Sequence, residues 1–359
     1  MVQNAKSEVV RTGMKLVEQG LVARTWGNVS CRMDDGHFAI TPSGTSYDRI
    51  TEEKVVVIDI ATRTYEGDRK PSSEFGMHAD AYVLRPDIGC VIHTHQCCAT
   101  ALSIAKPGTL ELTPAEVEAL GGFALVGYGL PGSKKLWNKV SDAINSGASA
   151  MLMERHGALL LGATPQEALE RAALLETYCT RALSGLEVES GEASFLTSRD
   201  VGTLTPLNIK NQTEFDSTEE QILKVHDAIY EAYPEFSNIA HLSTPAVSAA
   251  IIEGKTMPAL LDDFAQMAGS DARLITNAND VAAIVRGLKG RNCVLVKGMG
   301  ALCCAGNEAD SNALLLLMEK ACVTYWIAQR QGGVAPLPYL ERKLMRYIYQ
   351  NKYAKKAYT

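Results

Sequence analysis

The sequence predicts an α/β layered domain over residues 1–205, followed by a smaller, partial repeat of the same fold over residues 210–359. Three observations carry this reading. Strand-like and helix-like segments alternate irregularly up to about residue 200, the pattern of a layered α/β domain. A polar, weakly patterned stretch, 186 to 217, then reads as a linker. Beyond it the chain repeats itself. "EEQILKVHDAIYEAYPEFSNIAHLS" lies over "SSEFGMHADAYVLRPDIGCVIHTH", pairing His78 with His226, Tyr82 with Tyr230, Pro86 with Pro234 and His93 with His241. Further on, "LVKGMGALCCAG" lies over "LMERHGALLLGA", and Glu319 over Glu176. Self-similarity in constant order marks a duplicated unit, and 359 residues suit two domains.

Residues 4 to 20 carry Val9, Val10, Met14, Leu16 and Val17 at helical spacing and end at Gly20, a C-terminal stop. "NVSCRM" and "HFAITP" flank a "DDG" turn and read as strands, with "VVVIDI" following. A helix is expected through "SSEFGMHADAYVL", with Ser72 or Ser73 as N-cap and an end before Pro86. "IGCVIHTHQ" is a strand, "CATALSIA" the helix after it, and "AMLMERHGALLLG" two short strands about a turn. "TPQEALERAALLETYCTRALSG" is an amphipathic helix with a Thr-Pro start and a glycine stop at Gly185.

Composition narrows the functional classes. Net charge is −6 and pI about 5.7, so the excess of Lys and Arg that draws proteins to nucleic acid is missing. The N-terminus lacks an apolar signal-peptide core. The longest apolar run, "ALLLLM" at 313–318, is too short to span a membrane. Nine cysteines without a CxxC pair read as reduced thiols of a cytoplasmic protein rather than as a zinc knuckle.

The chemistry concentrates in the first copy. His93 and His95 are two residues apart in a strand, and i and i+2 share a face. His156 stands in the turn "ERHGAL", and Glu74 at a helix start is available as ligand or base. Three imidazoles with an open fourth position make a catalytic divalent-metal site. Three stretches of small residues, "GNVS", "TPSG" and "PSSE", place Asn28, Ser43, Gly44, Ser72 and Ser73 where turns and a helix start offer N–H and hydroxyl donors to a small anion. The second copy has no counterpart of residues 27 to about 70. It puts Ile222 in place of Glu74, Ser243 in place of His95 and Met299 in place of His156.

With "TWGNVSCR", "ITPSGTSYDRI", "KPSSEFGMHADAYVLRPDIGCVIHTHQ" and "ERHGALLLG" in order, residues 5–185 resemble the class II aldolase/adducin family. The resemblance implies a central, mostly antiparallel sheet flanked by helices. It implies Zn2+, or another divalent cation such as Mn2+ or Co2+, on His93, His95 and His156, with Glu74 as acid/base. It also implies a sugar-phosphate substrate whose phosphate sits on Asn28, Ser43, Gly44, Ser72 and Ser73, and a homo-oligomer with active sites at interfaces. The reaction it implies is retro-aldol cleavage of a phosphorylated ketose through a metal-stabilised enediolate. The family aldolases carry a tyrosine proton donor where this chain has "LELTPAEVEALGG" (110–122), without tyrosine. Epimerisation, decarboxylation or dehydration at the same site therefore stand as alternatives, with a non-catalytic, adducin-like assembly role as a third class. The C-terminal tail carries Tyr339, Tyr347, Tyr349, Tyr353 and Tyr358, which either supply a donor or pack an amphipathic helix.

Overall fold

The structure is a computed structural model, and it describes residues 2–22, 25–190 and 217–353. Two compact units result, one holding residues 2–190 and the other residues 217–352. The expected domain boundary between 205 and 210 lies outside the described residues.

The first unit opens with helix α1 (Val2–Glu18), closed by Gly20 at φ +69°. Strands β1 (Asn28–Arg32), β2 (His37–Ile40) and β3 (Val56–Asp59) form an antiparallel meander. Then come α2 (Phe75–Leu84), β4 (Cys90–Thr94), α3 (Cys97–Leu102), α4 (Pro114–Ala119), β5 (Phe123–Val126), α5 (Lys134–Asn145), β6 (Ala150–Met153), β7 (Gly157–Gly162) and α6 (Pro165–Ser190). The seven strands stand in the order β3-β2-β1-β4-β7-β6-β5. Every neighbouring pair is antiparallel except β5 and β6, so the sheet is mostly antiparallel.

Helices α2 and α5 cover one face, where Met77, Tyr82, Leu136, Val140 and Ile144 interlock with Val91, Met151, Leu159 and Leu161 of the strands. Each such side chain contributes about 1.5–3 kcal/mol by leaving water. Helices α1, α3 and α6 lie against the other face. Val91 and His93, two residues apart, therefore both look toward α2. The sheet register places the site.

Two expected helix ends are corrected. Helix α2 begins at Phe75 with Glu74 as N-cap, not Ser72 or Ser73, and no side chain caps it. The physical reason is that Ser72 Oγ accepts from the Glu74 N–H at 3.3 Å in a tight turn before the helix. Helix α6 runs through Gly185 to Ser190. One glycine inside a helix costs about 1 kcal/mol, which a long packed helix absorbs. The residues 186–190 read as linker are therefore helical.

The second unit comprises α7 (Glu219–Ala232), β8 (Asn238–Leu242), α8 (Pro245–Ile252), β9 (Met257–Pro258), α9 (Asp262–Met267), β10 (Asp271–Ile275), α10 (Val281–Gly287), β11 (Cys293–Val296), β12 (Gly300–Ala305), α11 (Glu308–Arg330) and α12 (Tyr339–Ile348). Its five-stranded sheet runs β8-β12-β11-β10-β9, the order of β4-β7-β6-β5 with one further strand. Among the described residues it has no equivalent of the β1–β3 meander, in keeping with a partial repeat. Helices α7 and α10 supply one apolar cluster, with Ile222, Val225, Ile229 and Ile284 against Val294, Val296 and Leu302. Helix α11 lies along the other face. Among the described residues no helix is long and apolar enough to cross a membrane.

Candidate active site

His93 lies near the end of β4, and its Nδ1 donates to the Ala158 carbonyl of β7 at 2.8 Å. That bond keeps a proton on Nδ1 and turns Nε2 into the site, the nitrogen that would bind a cation. Two glycines let the backbone close on this segment. A Cβ on Gly27 would stand 2.4 Å from the His93 carbonyl oxygen, and one on Gly157 2.1 Å from that of Thr94. His156 is delivered by the β6–β7 turn, where Arg155 sits at φ +64°, a left-handed conformation uncommon outside glycine.

The three imidazoles meet. His93 Nε2 stands 2.9 Å from His95 Nε2 and 3.2 Å from His156 Nε2. The three ligand atoms lie within 4.8 Å of one another. Zinc–nitrogen bonds of about 2.0–2.1 Å at a tetrahedral angle set two ligand nitrogens about 3.3 Å apart. The donor set, its spacing and the His93 tautomer all fit a divalent cation.

Glu74, 7% exposed, faces the same point. Its Oε1 is 2.9 Å from His156 Nε2 and its Oε2 is 3.2 Å from His93 Nε2. Asn28 Nδ2 donates to Oε2 at 3.0 Å. Burial opposes ionisation of this carboxyl, but the neighbouring His93 and His156 outweigh it and hold the group well below the usual carboxylate range.

The small-residue loops are joined by a bridge between Pro42 and Pro71. This places Ser43 and Gly44 beside Ser72 and Ser73, next in the chain to Glu74. The Ser43 N–H donates to the Lys70 carbonyl at 2.9 Å and the Ser72 N–H to the Thr41 carbonyl at 3.1 Å. These two amides hold the loops together. Asn28 is 3% exposed, and its amide joins Glu74 to His78, whose Nε2 is 2.5 Å from Asn28 Oδ1.

Sequence reasoning missed three further residues. His78 Nδ1 is 2.7 Å from Ser30 Oγ, which is 2.8 Å from Tyr82 Oη. All three side chains are buried. Burial above all, with the neighbouring His93, lowers the His78 pKa to about 3. Burial likewise raises the Tyr82 phenol well above its usual value. The available signal was spacing: Glu74, His78 and Tyr82 recur every four residues on one helix face, and Asn28 and Ser30 share a strand face.

In the second unit the equivalent positions have closed. Ile222 and Met299 are buried in one apolar cluster. His241 Nε2 contacts His226 Nε2 directly at 2.7 Å. Among the described residues no three ligand side chains of the second unit alone converge. The paired glutamates are duplicated as helix supports: Glu176 accepts from the Cys98 and Ala99 N–H groups at 2.7 and 3.0 Å, while Glu319 accepts from Thr244 Oγ1, the N-cap of α8, at 2.5 Å. Of the tail tyrosines, Tyr339 and Tyr347 are 60% and 65% exposed on α12, and Tyr358 lies outside the described residues.

The family described as Class II Aldolase and Adducin N-terminal domain matches this chain twice, over residues 7–183 and 199–326. The 3-oxo-tetronate 4-phosphate decarboxylase of Haemophilus influenzae is 31% identical over 176 residues, 48% of this chain and 83% of the relative. The L-fuculose phosphate aldolase of Escherichia coli K12 is 32% identical over 183 residues, 50% of this chain and 83% of the relative. A solved L-fuculose 1-phosphate aldolase superposes with a TM-score of 0.46 at 30% identity, over 55% of this chain and 92% of the other.

Proposed function

This chain belongs to the class II aldolase and adducin family, and from that premise we propose that its first unit is a divalent-metal lyase cleaving a phosphorylated ketose by retro-aldol chemistry. The observation that carries the reading is the convergence of His93, His95 and His156 with the Glu74 carboxylate at one point. His93, His95 and His156 would hold the cation, zinc or a similar ion such as Mn2+ or Co2+. When bound, that cation supplies Lewis-acid polarisation of a carbonyl and charge stabilisation of the enediolate left as the C–C bond breaks. Glu74 carries the proton at the reacting carbon. The Ser43, Ser72 and Ser73 hydroxyls, the Gly44 and Ser73 N–H groups and the Asn28 amide anchor the phosphate, so that remote binding energy orients the reacting carbons.

The second unit, with Ile222 and Met299 where the first has Glu74 and His156, is a structural partner rather than a second catalyst. Active sites at the interfaces of a homo-oligomer, in a reducing cytoplasm that suits nine free thiols, complete the reading. Turnover of a panel of ketose 1-phosphates, read as aldehyde and dihydroxyacetone phosphate, tests it. Equal turnover of the unphosphorylated sugars would remove the phosphate cradle from the account. A second reading, decarboxylation of a phosphorylated 3-oxo acid, is favoured by the 31% identical decarboxylase and by the absence of tyrosine from residues 110–122. Release of carbon dioxide instead of an aldehyde would select it.

A further inference from the structure

We propose that His78 is a positioning residue, the middle of a one-way chain of hydrogen-bond donors, Tyr82 to Ser30 to His78 to Asn28 to Glu74, that fixes the carboxylate. As a statement about catalysis it rests on the reading of Glu74 as acid/base. As a statement about hydrogen bonding it stands on geometry alone.

The direction follows link by link. An ionised carboxylate only accepts, so the Asn28 atom at 3.0 Å from Glu74 Oε2 is the amide nitrogen. That turns Asn28 Oδ1 toward His78 Nε2 at 2.5 Å, and a carbonyl oxygen likewise only accepts. His78 must then carry its proton on Nε2. Its bare Nδ1 accepts from the Ser30 hydroxyl at 2.7 Å. Ser30 has one proton and it is now engaged, so Tyr82 Oη donates to Ser30 Oγ at 2.8 Å. Every member is buried, where aligned hydrogen bonds polarise one another and none is exchanged for water. His93 carries the opposite tautomer, with its proton on Nδ1 toward Ala158.

The second unit is a built-in contrast. His226 and Tyr230 keep the helix spacing of His78 and Tyr82, but Ile222 replaces the carboxylate, and among the described residues the strand bearing Asn28 and Ser30 has no equivalent. There His226 turns to His241 instead.

Two measurements test the chain. In the zinc-loaded protein with 15N-labelled histidine, the ring nitrogens of His78 should report the neutral Nε2–H form, opposite to His93. An Nδ1–H form, or an imidazolium, at neutral pH would overturn the direction. In kinetics, Ser30→Ala should lower kcat about fivefold, the scale of one hydrogen bond between neutral groups. KM and zinc content should stay unchanged, and the volume-conserving Tyr82→Phe should act in the same sense but less. His78→Gln, which keeps a donor toward Asn28, should recover part of what His78→Leu loses. Wild-type kcat in Ser30→Ala and Tyr82→Phe, or a loss confined to stability, would reduce His78 to a core residue. Should the wild-type protein turn over no sugar phosphate, the functional reading fails, and the His78 tautomer alone still decides the chain.

Discussion

Replacing Glu176 by glutamine removes one charge and changes no shape, and its cost follows from two hydrogen bonds. Helix α3 starts directly after Gln96, whose own side chain does not cap it. The carboxylate of Glu176, reaching from α6, accepts from the Cys98 and Ala99 N–H groups at 2.7 and 3.0 Å instead. A glutamine can accept from only one of these amides and turns its NH2 toward the other. One charge-assisted bond is lost and a buried N–H is orphaned, for a loss of about 2–3 kcal/mol. At 1.36 kcal/mol per factor of ten, local opening of α3 becomes about 30- to 160-fold more frequent. The Cys98 thiol is 1% exposed, so it reacts with a thiol reagent only when α3 opens. The assay is the labelling rate of Cys98 in Glu176→Gln, resolved by mass spectrometry against Cys179 on α6 in the same chain. The rate at Cys98 should rise by that factor while Cys179 changes little. An unchanged Cys98 rate would refute the capping role, and an equal rise at both would mean that the whole unit has loosened.

Glu74→Gln should keep the metal and lose about a hundredfold or more in turnover, the usual scale for a general acid/base; unchanged kcat would exclude Glu74 from proton transfer. Ser72→Asp or Ser73→Asp puts a negative charge into the cradle and should raise KM steeply for a phosphorylated substrate, with metal content intact. In the second unit, burial first and then His226 lower the His241 pKa from 6.5 to about 4, against the pull of the Met299 carbonyl. The unfolded chain takes up a proton near pH 6.5 and the folded unit resists it. The stability is therefore fully present above pH 6.5 and falls by about 3 kcal/mol as the pH drops toward 4. The buried Trp326, read alone after Trp26 and Trp137 are changed to Phe, should show the urea midpoint falling over that window, and His241→Gln should flatten the fall.

Much of the site was legible because its residues obey short-range rules. His93, on β4, and His95, one residue past its end, keep the two-residue spacing that turns both to one side, and the segments beside β4 close on it at Gly27 and Gly157. The duplicated unit was legible from spacing, and so was the loss of chemistry at Ile222, Ser243 and Met299. What stayed hidden depended on partners distant in sequence. Glu74 reads as a residue inside a helix start, yet it is the N-cap, because the Ser72 turn precedes it, and its side chain is held by Asn28 and His156 rather than by its own helix. Asn28 reads as a phosphate donor, and only the fold reveals that its amide also bridges Glu74 and His78. Strand β5 went unread, since Leu125 is 60% exposed and β5 shows no clean alternation. Gly185 reads as a stop, yet α6 runs through it to Ser190, since one glycine only weakens a helix and does not by itself end it.

Elemental analysis of the purified protein, with His93→Ala and His241→Ala beside it, tests the central claim most directly. One divalent metal per chain is expected in the wild type, none in His93→Ala and one in His241→Ala. Two metals per chain, or a metal retained when His93 is lost, would contradict it.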